Sequence, residues 1–209
     1  MNLNSIKEYK KSLKLNQKQK EVLVGLLLGD GHLATQNGGR TYALKIEHSV
    51  KQRAYVDWLY ELYKKWVRTP PQIKYREGEP FSYYFSTYAH GAFRFYGQQF
   101  YLNGKKVVPH LIGKLLTPLG LAIWFMDDGS LKSQRHKTFI IHAIGYEKRE
   151  LEQLQSVLLG KFGIKTNLHR QKKIYWRLYV YSESAERFRE HTEKYILPSM
   201  GYKLGNILV

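Results

Sequence analysis

Two stretches of this chain end in an acid just where an apolar run stops. One is Leu23-Val24-Gly25-Leu26-Leu27-Leu28-Gly29-Asp30-Gly31; the other is Leu121-Ala122-Ile123-Trp124-Phe125-Met126-Asp127-Asp128-Gly129. Aligning them puts Asp30 on Asp128, 98 positions apart in a chain of 209 residues. An Asp at a helix C-terminus faces the negative end of the dipole, a penalty of about 0.3–1 kcal/mol. One such residue is an ordinary surface feature. The same misplacement at matching points of a repeat calls for a compensating cation. Gly25 and Gly29 leave one helix face nearly bare, so a second backbone fits close against it. If the two helices pack in parallel, the carboxylates of Asp30 and Asp128 come together. The carbonyls of Gly29 and Asp127, beyond the reach of helical partners, add oxygens. An all-oxygen set suits Mg2+, and the chain has no cysteine to offer sulfur. That layout serves two-metal phosphodiester hydrolysis; the plainer alternative is a helix seam with solvated ends.

The elements around these runs repeat as well. Asn16 is placed to cap the first helix, and Thr117, followed by Pro118, the second. Gly31 and Gly129 read as helix stops. After the first helix come strands at 31–35 and 41–48 about the Asn37-Gly38 turn, a helix at 52–66, a hairpin at 72–76 and 81–88, and a helix at 89–102. After the second come strands near Lys132 and at 136–144, a helix at 147–162, a hairpin at 164–171 and 173–181, and a helix at 182–195. The pattern is αββαββα, twice, with units 1–104 and 105–209 joined through roughly 104–116. A lysine pair recurs too: Lys106 follows Asp30 by 76 positions and Lys203 follows Asp128 by 75. A lysine beside each metal would stabilise a pentavalent phosphate or tune the attacking water.

Lys and Arg number 34 against 17 acids, a net charge of +17. Solubility needs far less, so a polyanion, most simply a phosphate backbone, is the expected partner. The absence of cysteine excludes disulfides, zinc fingers and thiol catalysis. No apolar run is long enough to span a membrane, and Met1 to Lys14 has no apolar core of a signal peptide. Strand alternation turns Thr41, Lys45 and Glu47 outward, away from Tyr42, Leu44 and Ile46. It groups Gln72, Lys74 and Arg76 with Ser82, Tyr84 and Ser86. In the second half Lys165, Asn167, His169 and Gln171 share a face with Tyr175, Arg177 and Tyr179. These are base-edge and phosphate-reading residue types, and their difference between halves implies an asymmetric target. The eight histidines show no catalytic spacing; His32, His90 and His142 are read as structural or DNA-contacting.

The two nonapeptides resemble the LAGLIDADG motif pair of a family of homing endonucleases and intron maturases. Lys105-Lys106-Val107-Val108-Pro109, Leu116-Thr117-Pro118 with 122–129, Tyr195-Ile196-Leu197-Pro198 with Tyr202-Lys203-Leu204, and 41–67 are similar to the single-chain I-SceI type. The similarity covers most of the chain after Tyr9. It implies an α+β fold of two pseudo-symmetric αββαββα units packed through two central LAGLIDADG helices, each unit with a saddle-shaped antiparallel sheet for the major groove. It implies that Asp30 and Asp128 bind divalent metals, that Lys106 and Lys203 are the basic active-site residues, and that both strands are cut to leave short 3′ overhangs. The implied cofactor is Mg2+, two or more ions, with Mn2+ or Ca2+ substituting in binding. The implied partners are double-stranded DNA for a monomer and, for a maturase, intron RNA, with no membrane. A composition rich in Lys and Tyr is common in AT-rich organellar genomes, so a mitochondrion or chloroplast is the expected source. The first motif has Leu28 and Gly29 where the consensus has Asp and Ala, as in the I-SceI type. A silent DNA-binding regulator on this scaffold and a ribosome-associated protein are the remaining rivals; neither needs both acids.

Overall fold

A computed structural model of the chain describes residues 3–132, 138–171 and 175–205. It forms two compact units. One takes the residues up to Lys20 and Asp30–Gln98; the other takes Glu21–Gly29 and Gln99 onward. Most of the first apolar helix therefore belongs, by packing, with the second half of the chain.

The first unit opens with α1 (Leu3–Ser12) and the start of α2 (Gln17–Leu28). The α1 helix was not expected, although Ile6, Tyr9 and Leu13 have helical spacing; the Tyr9 hydroxyl donates to Lys65 O at 2.7 Å. Asn16 caps α2 as read from sequence: Oδ1 accepts from Gln19 N at 2.8 Å, while Asn16 N donates to Gln19 Oε1 at 3.0 Å, a reciprocal capping box. Then follow β1 (His32–Ala34), β2 (Ala43–Ser49), α3 (Arg53–Tyr63), β3 (Gln72–Arg76), β4 (Glu79–Ser86) and α4 (Arg94–Phe100). The sheet is antiparallel in the order β1-β2-β4-β3. Tyr55, Val56, Leu59 and Tyr63 of α3 are fully buried and pack on β2 and β4, whose Leu44, Ile46, Tyr83 and Phe85 are also buried. Helix packing takes one sheet face and leaves the other to solvent.

The second unit repeats the plan. It contains β5 (Tyr101–Leu102), β6 (Lys105–Lys106), α5 (Ile112–Leu115), α6 (Pro118–Asp128), β7 (Gly129–Leu131), β8 (Phe139–Ile141), α7 (Lys148–Phe162), β9 (Thr166–Gln171), β10 (Tyr175–Val180) and α8 (Ala185–Thr192). Its sheet runs β7-β8-β10-β9, the same order as in the first unit. Thr117 Oγ1 accepts from Gly120 N at 3.2 Å, with Pro118 at the first helical position. The α+β class and the two like halves, each with an antiparallel sheet, are as the sequence implied. The starts of the strands expected from 136 and from 173 lie outside the described residues.

Two local expectations change. Tyr101–Leu102, read as a helix end, pairs instead with Lys105–Lys106. Asn103 (φ 51°) and Gly104 (φ 79°) make the two-residue turn with positive φ that joins tight hairpins. Gly129 ends α6 in extended backbone (φ −85°, ψ 156°) rather than in the left-handed region. Its glycine is required by space, because any Cβ there would fall inside the Phe125 ring.

Candidate active site

The apolar helices meet inside the second unit. Gly120 lies against Glu21 O, where a Cβ would sit at 3.2 Å. A Cβ on Gly25 would reach Ile123 Cβ at 2.6 Å, and one on Gly29 would reach Asp127 Cβ at 2.5 Å. Both series rise together, so Glu21–Gly29 runs parallel to α6, and the two helices end at the same level. Thr117 Oγ1 donates to Glu21 Oε2 at 2.9 Å at the other end. The bare glycine face does what the sequence reading asked of it.

The ends are then closed by side chains from afar. Lys106 Nζ donates to Gly29 O at 2.6 Å. Lys203, only 8% exposed, donates to Asp127 O at 2.9 Å and to Met126 O. Each lysine thus caps one motif helix, where the dipole favours a cation. The carbonyls of Gly29 and Asp127, expected to lack partners, each accept a lysine N–H; a carbonyl has a second lone pair. The Tyr146 hydroxyl adds a bond to Leu28 O at 3.0 Å. Burial, then the Asp128 and Glu150 carboxylates, push its pKa well above the usual phenol value.

The two acids have different surroundings. Asp128 Oδ2 accepts from Trp124 Nε1 at 3.2 Å, one turn back on the same helix. In the first unit the Asp30 side chain is about half exposed, and His48 Nδ1 lies 3.6 Å from its Oδ2. The sequence reading missed His48. Carrying the β2 alternation two residues past Ile46 would have placed it on the buried face, where it is found. Asp30 and His48 line a cavity of about 520 Å³ with Glu47, Lys51 and Phe81. Carboxylate and carbonyl oxygens at each end are donors that a hard divalent cation takes.

The outer strand faces assemble largely as alternation required. Register puts Lys45 opposite Ser86, Glu47 opposite Tyr84, Gln72 opposite Tyr84 and Lys74 opposite Ser82. Glu47 accepts from Lys74 at 2.5 Å and from Ser82 at 2.6 Å, and these bonds lower its pKa. Tyr84 donates to Gln72 at 3.2 Å. A bulge after Lys74 breaks the alternation, so Tyr75 is 65% exposed and Arg76 packs over the Phe81 ring at 4.0 Å. Thr41 is tied to Asn37 in the preceding turn. In the second unit Asn167, His169 and Gln171 lie opposite Tyr179, Arg177 and Tyr175. The His169 ring lies tilted against Tyr179 with centroids 4.2 Å apart, while Lys165 pairs with Glu183 at 2.9 Å. His90 is structural: Nδ1 accepts from Ala92 N and Nε2 reaches Lys10 O. His142 Nε2 meets Ser130 Oγ at 3.0 Å, and burial, then Arg177 and Lys203, lower its pKa.

Two like halves, each led by an apolar helix ending in Asp and each with one open sheet face, make a duplicated nuclease scaffold. Residues 20–188 match the model of the LAGLIDADG DNA endonuclease family, and the chain belongs to that family. It is a DNA endonuclease of the single-chain, two-motif kind. It is 31% identical over 215 residues to the probable intron-encoded endonuclease 1 of Wickerhamomyces canadensis, covering 97% of this chain and 91% of that protein. It is 30% identical to the cytochrome b mRNA maturase bI2 of Debaryomyces hansenii, covering 93% of this chain and 76% of that one. Its fold matches the homing endonuclease I-WcaI bound to its DNA recognition sequence with a TM-score of 0.89 and 30% identity, covering 98% and 94% of the two chains.

Proposed function

We propose that the chain makes a double-strand break in one long, asymmetric DNA site by Mg2+-dependent hydrolysis, leaving 3′ overhangs, and that this break serves the homing of an organellar intron. The observation that carries the reading is the pair of parallel helix ends, each finishing in an Asp and each capped by a distant lysine. In this reading Asp30 and Asp128 hold two or more divalent ions with the carbonyls of Gly29 and Asp127; Mn2+ or Ca2+ substitutes in binding. Bound ions supply a lowered water pKa and charge stabilisation of the leaving oxygen. Lys106 and Lys203 keep an ammonium at each acidic end, where negative charge grows on the phosphate. The water oxygen bonds to phosphorus as the P–O bond breaks, and the leaving oxygen takes a proton.

The outer strand residues from Thr41 to Ser86 would read one half of the target, and those from Lys165 to Tyr179 the other. Segments 1–104 and 105–209 would then be the repeat units, acting as one monomer. The DNA-bound I-WcaI neighbour supports a duplex target, and the intron-encoded relative supports an organellar origin. The test is cleavage of a randomised duplex library with Mg2+, beside Asp30→Asn and Asp128→Asn. Each variant should bind the selected site and fail to make the double-strand break. Undiminished cutting by either removes that residue's role, and full activity in chelator ends the metal-dependent reading. The bI2 relative supports a second reading, an intron RNA maturase on the same scaffold. Splicing stimulated equally by the parent and by Asp30→Asn would establish it.

A further inference from the structure

His48, next to last in β2, has a side chain only 3% exposed. Its ring leans on Tyr55 of α3, itself fully buried, with centroids 5.0 Å apart. The imidazole is therefore held by the core of the first unit, and its Nδ1 faces the Asp30 carboxylate at 3.6 Å. Contacts of this kind are often long before substrate arrives and tighten in the complex.

The second half builds its acid differently. Lys45 pairs with His32, and Ile140 pairs with Ser130. Counting three residues on from each matches His48 with Ala143, which is buried but lies two residues past the end of β8. There Trp124 of its own helix donates to Asp128, and the residue matching Trp124 is the apolar Leu26. One carboxylate is met from a strand, the other from one helical turn behind it.

We propose that His48 is the positioning residue for Asp30. It sets the carboxylate orientation that holds the cation, so that its loss slows one DNA strand's hydrolysis far more than the other's. The inference rests on the metal-hydrolase reading above. It also explains why a polar ring occupies a buried position near the end of β2, where an aliphatic residue would pack at lower desolvation cost.

The test uses the full chain and the duplex recovered from the library, with each strand separately labelled, in single-turnover reactions with Mg2+. His48→Ala should slow one strand by about 10- to 100-fold, the scale of a misplaced catalytic group, and leave the other near the parent rate. His48→Asn, whose amide nitrogen stands close to Nδ1, should restore most of the loss. Trp124→Phe should bias cutting toward the opposite strand. Calorimetric titration of Ca2+ into the enzyme–DNA complex should show weaker binding for His48→Ala and recovery in His48→Asn. Equal slowing of both strands, or a His48→Asn variant with the parent's melting temperature but no recovery, overturns the proposal. A parent that cuts neither strand in Mg2+ sinks the hydrolase reading beneath it. An active His48→Ala with unchanged strand ratio and Ca2+ affinity sinks the positioning role alone.

Discussion

The two sheets share strand order, and their ladders match up to the bulge after Lys74, while their outer faces share almost no side chain. Matching them through their ladders sets Lys45 against Ile140, Glu47 against His142, Tyr84 against Arg177 and Ser86 against Tyr179. Gln72 answers to His169 and Lys74 to Gln171. The helix ends behave in the opposite way. Each has an Asp followed by Gly, and each has a lysine, 75 or 76 positions downstream, on a last-turn carbonyl. Phosphodiester chemistry is the same on both strands of a duplex, so the parts serving it stay alike. Base edges differ along the site, so the parts facing them drift. The contrast separates chemistry from reading within one chain.

The most severe challenge to that contrast is at the acids. Asp128→Asn should abolish double-strand cutting as completely as Asp30→Asn, measured on a linearised plasmid; a large inequality would mean the ends are not alike in function. Next comes the helix seam. Gly25→Val has no room against Ile123 and should cost about 1–3 kcal/mol or more in denaturant unfolding. Gly160→Ala, in α7 with open space around it, should instead stabilise by about 0.4–1 kcal/mol. A stable Gly25→Val would break the close-packing account.

The lysines sharpen the comparison further. Lys203 is buried and donates to Met126 O and Asp127 O, whereas Lys106, which donates to Gly29 O, is only half-buried. Losing hydrogen bonds from a charged donor costs roughly 1.5–3 kcal/mol. Lys203→Met should therefore lose stability at the upper end of that range and Lys106→Met much less, while both slow cleavage. On the reading faces, Arg177→Ala and Tyr84→Ala should each relax preference in one half of the target only, by about 1–3 kcal/mol per affected base pair in a binding profile. Loss across both halves would undo the division of labour.

The smallest effect concerns Glu47. Hydrogen bonds from Lys74 and Ser82 lower its pKa in the folded chain. The pair contributes stability above the usual carboxylate range, and that stability is lost as pH falls through the lowered value. Both side chains are more than 40% exposed, so the contribution stays below about 1 kcal/mol. Melting curves from pH 6 to pH 3 should show a slightly shallower acid fall for Glu47→Gln; an identical fall would mean the bond is without consequence.

Much of this was legible in the residues. The duplicated apolar runs, the caps at Asn16 and Thr117, the bare glycine face and the strand alternation are local patterns, set by helix and strand periodicity. They were enough to place Asp30 and Asp128 at helix ends and to group Lys45 with Glu47 or Asn167 with His169. Spacing also singled out Lys106 and Lys203, but not that they grip the carbonyls of the motif helices. That depends on which distant segment packs against each helix end. For the same reason His48 and Tyr146 gained their roles only on folding, whereas Trp124 meets Asp128 within one helix, four residues apart. The helix 21–29 likewise belongs by chain order to the first half and by packing to the second. A sequence states which faces are apolar, because burial follows period; it does not state which partner covers them, because that choice is made by the sum of contacts between segments a hundred residues apart.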